Sequence, residues 1–294
     1  MIQQNTHASR LGNNALLVVS GLLILDSLHF VFARLLLPHL APGVSAMYVM
    51  GVGSVEVGLF GLIRGRLRWR GLRDHLGFFL ALGLLVSVST TINYEAVAWI
   101  DPGTASVLAK TSVLFGLGFG LVWLQEKLRP TQIGGALVAM LGVFVISFQP
   151  GDYFRLGSLL ILASAWMYAL HAAIVKRYGS GLEFTEFFFF RLLVTTSFLF
   201  LFALGRRTLV WPTATTWPLL ILVGTVDIVI SRTLYYVALR QLKLSIHAVV
   251  LTLSPAVAVL WSLLLFDVVP TPQQLVGGGA VIAGVSTVTL QSRR

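Results

Sequence analysis

Apolar residues run along this chain in long blocks, and polar and charged residues gather in the short gaps between them. Ten such blocks stand at 15–37, 42–63, 75–96, 103–124, 133–148, 156–175, 184–204, 217–239, 245–266 and 275–290. A helix crossing the ~30 Å hydrocarbon layer must satisfy its backbone internally, which takes about 20 mostly apolar residues. The pattern therefore predicts an all-α integral membrane protein with ten transmembrane helices. The gaps leave no room for a soluble domain, so the chain reads as one membrane unit. The first block follows Arg10 in the manner of a secretory signal, but it runs past Asp26 to Leu37 without a small-residue cleavage site. It is expected to be the first spanning helix.

Composition strengthens this reading. Apolar residues make up 56% of 294 positions and charged residues 11%, against roughly 25% charged in a soluble domain. The net charge of +10 could suggest nucleic acid, but its distribution follows the membrane. With the N-terminus in the cytoplasm, Arg10, Arg64, Arg66, Arg68, Arg70, Arg73, Lys127, Arg129, Lys176, Arg177, Arg240, Lys243, Arg293 and Arg294 fall inside. Only Arg34, Arg155, Arg206 and Arg207 fall outside. This asymmetry predicts cytoplasmic termini in an inner (cytoplasmic) membrane and requires no nucleic-acid partner. Without cysteine, disulfides and thiolate metal sites are excluded. No His-rich tract suggests another metal site, and no cofactor is expected. No GxxxxGK[ST] loop is present, so an ATPase would have to be a separate subunit.

Sliding the sequence by 142 residues pairs Ser89 with Ser231, Thr91 with Thr233, Tyr94 with Tyr236, Ala96 with Ala238 and Ser112 with Ser254. The register continues through Pro130 and Pro272, Gln132 and Gln274, Gly135 and Gly277, and Gly142 and Gly284. A slide of 137 aligns Leu22, Leu23, Ile24, Leu25 and Ser27 with Leu159, Leu160, Ile161, Leu162 and Ser164. The chain is read as a duplicated five-helix unit, 1–150 and 151–294. Five is odd, so the second unit must enter the membrane from the opposite side. Inverted repeats of this kind suit alternating access around a site at their interface.

Tyr94 through Ala105, Glu126, Gly134, Gly135 and Gly142-Val143 resemble the end-of-repeat pattern of the drug/metabolite transporter superfamily, EamA type; Tyr236, Pro255, Gly277 and Gly284-Val285 are similar in the second copy. The resemblance covers essentially the whole chain. It implies a ten-helix metabolite exporter, and the aromatic and basic details look most like the bacterial aromatic amino-acid exporters. Two departures stand out. Val268 replaces Glu126 in the second copy, and the second helix lacks the arginine that Arg191 gives the seventh.

Ionisable groups at hydrocarbon depth cost at least ~2.5 kcal/mol and need a partner or a hydrated cavity. Asp26, Glu56, Lys110 and Asp227 lie near helix middles. Lys110 could face Asp26 or Asp227, as ligand or as structural pair. His29, three residues after Asp26, shares its helical face and could carry a proton, or be a hydrogen-bonded core histidine. Asp26, His29 and Glu56 are the coupling or gating candidates. His171 and His247 read as interfacial; Arg191 and Arg232 could each bind an anionic group, with a structural role the first reading of both. Ser87, Ser89, Thr90, Thr91 and Asn93 make the third helix too polar for a lipid face, although their hydroxyls can bond their own helix. Trp166 and Tyr168 stand mid-helix, away from the interfacial girdles where Trp123, Trp211 and Trp217 fall. The run from Phe187 to Phe190 reads as lipid-facing, with the second and seventh helices as outer walls.

The expected substrate set is Asp26, Tyr94, Lys110, Trp166, Tyr168, Asp227 and Tyr236, in a chamber built from helices 1, 3, 4, 6, 8 and 9. It suits a small zwitterion: a carboxylate for the ammonium, a cation for the carboxylate, an aromatic wall for the side chain. An exporter of amino acids, aromatic ones included, leads. An intramembrane enzyme using Asp26 and Asp227 as a carboxylate pair is the rival, and a channel the third option.

Overall fold

The computed structural model describes residues 17–96, 108–148, 156–266 and 269–292, which form helices joined by short turns, with no strand among the described residues. In order these are α1 (Leu17–Ser27), α2 (His29–Leu36), α3 (Pro42–Ile63), α4 (Trp69–Asp74), α5 (Leu76–Ala96) and α6 (Ser112–Gly118). They continue with α7 (Pro130–Ser147), α8 (Leu156–Tyr178), α9 (Phe184–Gly205), α10 (Trp217–Val223) and α11 (Arg232–Gln241). The last are α12 (Leu244–Val250), α13 (Ser254–Phe266) and α14 (Pro272–Ser292). Among the described residues seven helices are long and apolar enough to cross a membrane, and shorter apolar helices stand at Leu17–Ser27, Ser112–Trp123 and Pro130–Ile146. This is an integral membrane architecture. Pro42, Pro130 and Pro272 each open a helix, where the missing N–H costs nothing.

Several helices are irregular, and two of the irregularities fall beside ionisable residues. The first helix breaks at Leu28, between Asp26 and His29. After α6 the chain winds as a π-helix over Phe119–Trp123, and Gly224–Ser231 is a second π-helix between α10 and α11. A 3-10 turn at Leu251–Leu253 joins α12 to α13. Such segments turn side chains to faces that regular α-helical spacing does not give, and often mark functional sites.

Helices α7 and α14 pack antiparallel with their backbones nearly touching. A Cβ on Gly142 would meet Val281 N at 2.6 Å and Gly277 O at 2.7 Å, and one on Gly135 would meet Gly284 O at 2.9 Å. Gln132 Nε2 donates to Val288 O at 3.3 Å, and Gln273 Nε2 to Val145 O at 2.6 Å and Phe148 O at 2.9 Å. Small residues permit this approach where lipid offers no hydrophobic drive to association.

The seventh apolar block corrects the reading of it as lipid-facing. Phe187, Phe188, Phe190 and Arg191 are buried, because α9 packs against both α3 and α5 and stacks Phe187 and Phe188 on Tyr236 at 5.1 and 5.9 Å. A run of phenylalanines suits a protein core as well as lipid, so apolarity alone does not tell the two apart.

Candidate functional site

The site forms where the broken first helix meets the π-segment of the eighth block. Arg232 Nη1 donates to Asp26 Oδ1 at 3.0 Å, and its Nη2 lies 3.8 Å from Asp227 Oδ1. His29 Nδ1 stands 2.8 Å from Asp227 Oδ2, and Ser254 Oγ donates to Asp26 Oδ2 at 2.9 Å. Asp227 is buried and Arg232 nearly so. The π-helix explains the pairing. With bonds running from i to i+5, Arg232 returns to the face of Asp227, from which regular α-helical spacing would turn it well away. One guanidinium is thus shared by two carboxylates within the bundle, with a histidine behind one of them.

Sequence reasoning named Asp26, His29 and Asp227 among its candidates but paired them differently. Asp26 and His29 engage separate partners across the break at Leu28 rather than each other. Arg232 takes the place expected of Lys110, which lies within electrostatic range of Asp26. Glu56 accepts a hydrogen bond from Thr225 Oγ1 at 2.7 Å, tying α3 to the π-segment. The polar third helix serves mainly packing: Ser87 and Thr91 bond back to Leu84 O and Ser87 O, while Ser89 and Ser164 meet at 2.7 Å between α5 and α8.

On α8 the aromatic pair divides. Tyr168 turns toward His171, ring to ring at 5.8 Å. Trp166 lies on the exposed stripe with Leu156 and Leu159, its ring 6.1 Å from Phe119. Tyr236 is fully buried and shares a 2.9 Å hydrogen bond with His171 Nε2. The backbone of Tyr94 continues α5, but its side chain lies outside the described residues. His171 and His247 are both buried, which corrects their interfacial reading; His247 packs its ring 4.6 Å from that of Tyr235. Among the described residues no group of three or more His, Cys, Asp or Glu is placed to hold a metal ion.

One end of the bundle is tied shut by its basic residues. Lys176 Nζ donates to Leu239 O, Arg240 O and Leu242 O at 2.6 to 3.1 Å, and Arg240 Nη2 returns to Gly179 O and Leu182 O at 3.0 and 3.1 Å. Gln125 adopts φ 52° and swings Glu126 onto the start of α12. There the carboxylate accepts from Leu244 N at 2.6 Å, Ser245 N at 3.0 Å and Ser245 Oγ at 2.6 Å. Cations on helix C-termini and a carboxylate on an N-terminus are the favourable placements for helix dipoles. Near the opposite end a cleft of about 170 Å³ is lined by Val44, Thr91, Phe202 and Arg206, among others. It is separate from the charge network.

A family model described as the EamA-like transporter family matches the chain twice, over residues 14–148 and 155–290. An uncharacterized transporter of Bacillus subtilis (strain 168), YdfC, is 28% identical over 82% of this chain and 79% of its own length. An uncharacterized transporter of Clostridium kluyveri is 25% identical over 65% of each chain. A solved crystal structure, titled only as that of a protein, matches 96% of this chain and 99% of its own with TM-score 0.79 at 19% identity. That last likeness concerns the fold alone. The two family matches span nearly the whole sequence, and the chain belongs to the EamA-like transporter family: it is a multi-pass membrane transporter of small solutes and not an enzyme.

Proposed function

We propose that the protein is a secondary carrier that exports small zwitterionic metabolites, amino acids including aromatic ones, by alternating access. The observation that carries this reading is the Asp26–Arg232–Asp227–His29 network, set at a helix break and a π-segment. An incoming ammonium offers the two aspartates a second cation, so it can compete with Arg232 for them. His29 on Asp227 can accept or release a proton as that competition changes. Tyr168, Tyr236 and Trp166 are the proposed aromatic contacts, with Tyr94 and Lys110 at the margins and Glu56 a further gating candidate.

The architecture proposed is ten spanning helices in two inverted halves, 1–150 and 151–294, in the inner membrane with both termini cytoplasmic. The α7–α14 contact supports it. Gly135 corresponds to Gly277 and Gly142 to Gly284 in the repeat, yet Gly135 meets Gly284 and Gly142 meets Gly277. Exchanging equivalent residues leaves the contact set unchanged, as a two-fold axis across antiparallel helices requires.

Counterflow in proteoliposomes against a panel of amino acids tests the function. Saturable exchange is expected, and Asp26→Asn should reduce it and change its pH profile while insertion stays normal. Ion conductance without counterflow would make the protein a channel. A pH profile unchanged by Asp26→Asn would leave Asp26 structural, and proton-independent flux would make the carrier a uniporter.

A further inference from the structure

Arg191 is the buried cation that the charge network does not use. It projects from the inward face of α9, 3% exposed, about 10 Å from the start of the helix at 1.5 Å per residue. Its guanidinium carbon lies 5.3 Å from the centre of the Tyr236 ring, close enough to bond the Tyr236 hydroxyl, and a guanidinium carries five N–H donors in all. Nε and Nη1 are buried with no hydrogen-bond partner.

Asp26 and Asp227 are committed to Arg232 and His29, Glu56 to Thr225, and Glu126 to α12, while Glu186, buried with Oε1 unpartnered, lies against Gly71 nearer the start of α9. Beside Arg191, His171 holds the Tyr236 hydroxyl through Nε2. Phe187 and Phe188 flank Tyr236. Buried polar groups are normally satisfied, and a buried guanidinium with donors to spare calls for an acceptor.

We propose that Arg191, with His171 and Tyr236, forms a carboxylate-binding subsite on the solute path, selective for a monocarboxylate with an aromatic or apolar body. This rests on the carrier reading above and adds the group that reads the acid. Guanidinium donors lie in a fork that matches the two oxygens of a carboxylate, and the surrounding rings offer the apolar body a wall. The subsite lies toward the end closed by Lys176 and Arg240, so in this conformation it is shut.

The test is the shift in unfolding midpoint of the purified full-length protein with three probes: phenylalanine, 3-phenylpropionate, which lacks the amine, and phenethylamine, which lacks the acid. Both acids should stabilise the wild type more than the amine does. Arg191→Met should lose the acid response while its own unliganded midpoint is no lower than wild type, since it removes an uncompensated charge. Arg191→Lys should respond with affinity reduced about 10- to 100-fold, as expected for losing charged hydrogen bonds. An amine as effective as the acids, or acids that stabilise Arg191→Lys at wild-type affinity, would overturn the subsite, as would a wild type that answers neither acid. Arg191→Met unfolding early while still answering the acids would make Arg191 a structural residue and overturn it too. Stabilisation by 3-phenylpropionate but not phenylalanine, lost in Arg191→Met, would keep the subsite and sink the zwitterion reading. Equal response to phenylalanine and phenethylamine would do the reverse.

Discussion

At the scale of single residues, the chain keeps ionised groups inside an apolar bundle by sharing one cation between two carboxylates. Arg232 lies 3.0 Å from Asp26 and 3.8 Å from Asp227, so removing it leaves two buried charges at once. Breaking a buried pair from one side costs about 3–5 kcal/mol. Arg232→Met should therefore lower the unfolding midpoint sharply, and adding Asp26→Asn and Asp227→Asn should recover most of the loss. Thermal unfolding in detergent of the single and triple variants checks this; a single variant as stable as wild type would mean the aspartates are compensated elsewhere. That Asp26 and Asp227 need partners was legible in the sequence, because an aspartate at hydrocarbon depth is conspicuous. Their partners were not, since pairing by i and i+3 assumes a regular α-helix, and the break at Leu28 and the π-turns at Gly224–Ser231 change the phase. Glu126 was visible as a repeat mismatch with Val268, but its work as a cap on α12 depends on the turn at Gln125 and cannot be counted from spacing.

At the scale of helices, glycines divide into those that admit a neighbour and those that do not. Gly142 faces the backbone of α14 at 2.6 to 2.7 Å from where a Cβ would stand, while Gly134 in the same helix has nothing within 4 Å. Gly142→Ala must push two helices apart and should cost about 1–3 kcal/mol, the usual cost of overpacking. Gly134→Ala should be neutral or slightly stabilising, because alanine is the better helix former. Unfolding midpoints of the two variants should therefore move differently, and equal shifts would place the helices further apart than here. Gly142 was visible in the sequence as the repeat partner of Gly284, but which glycines of this helix meet a neighbour depends on the facing backbone. The burial of α9 was not visible, because the interior of a membrane bundle and its lipid face are both apolar and the pattern carries no contrast between them. Arg191 and Glu186 beside the phenylalanines were the local signs that this helix turns a face inward.

At the scale of the molecule, basic residues fasten helix ends together at one end of the bundle. Lys176 and Arg240 cap each other's helix ends, and Glu126 pins α12 beside them. Hydrogen bonds to charged groups contribute about 1.5–3 kcal/mol each, and every 1.4 kcal/mol shifts a two-state population about tenfold. If these contacts hold the end closed, Glu126→Gln combined with Lys176→Met moves the population toward a conformation open there. Because the chain contains no cysteine, a single introduced thiol reports without background. Ala173 is fully buried on α8, one turn below Lys176, so Ala173→Cys should react slowly with a membrane-impermeant maleimide in inverted vesicles. The Glu126→Gln/Lys176→Met background should raise that rate tenfold or more. Arg66→Cys, in the exposed basic turn after α3, should be labelled equally in both backgrounds in inverted vesicles and not in intact cells, which fixes the side as cytoplasmic. Labelling of Arg66→Cys in intact cells would reverse the orientation. An unchanged rate at Ala173→Cys would mean that closure at this end is held by the apolar packing beneath, with Lys176 and Glu126 serving only as caps.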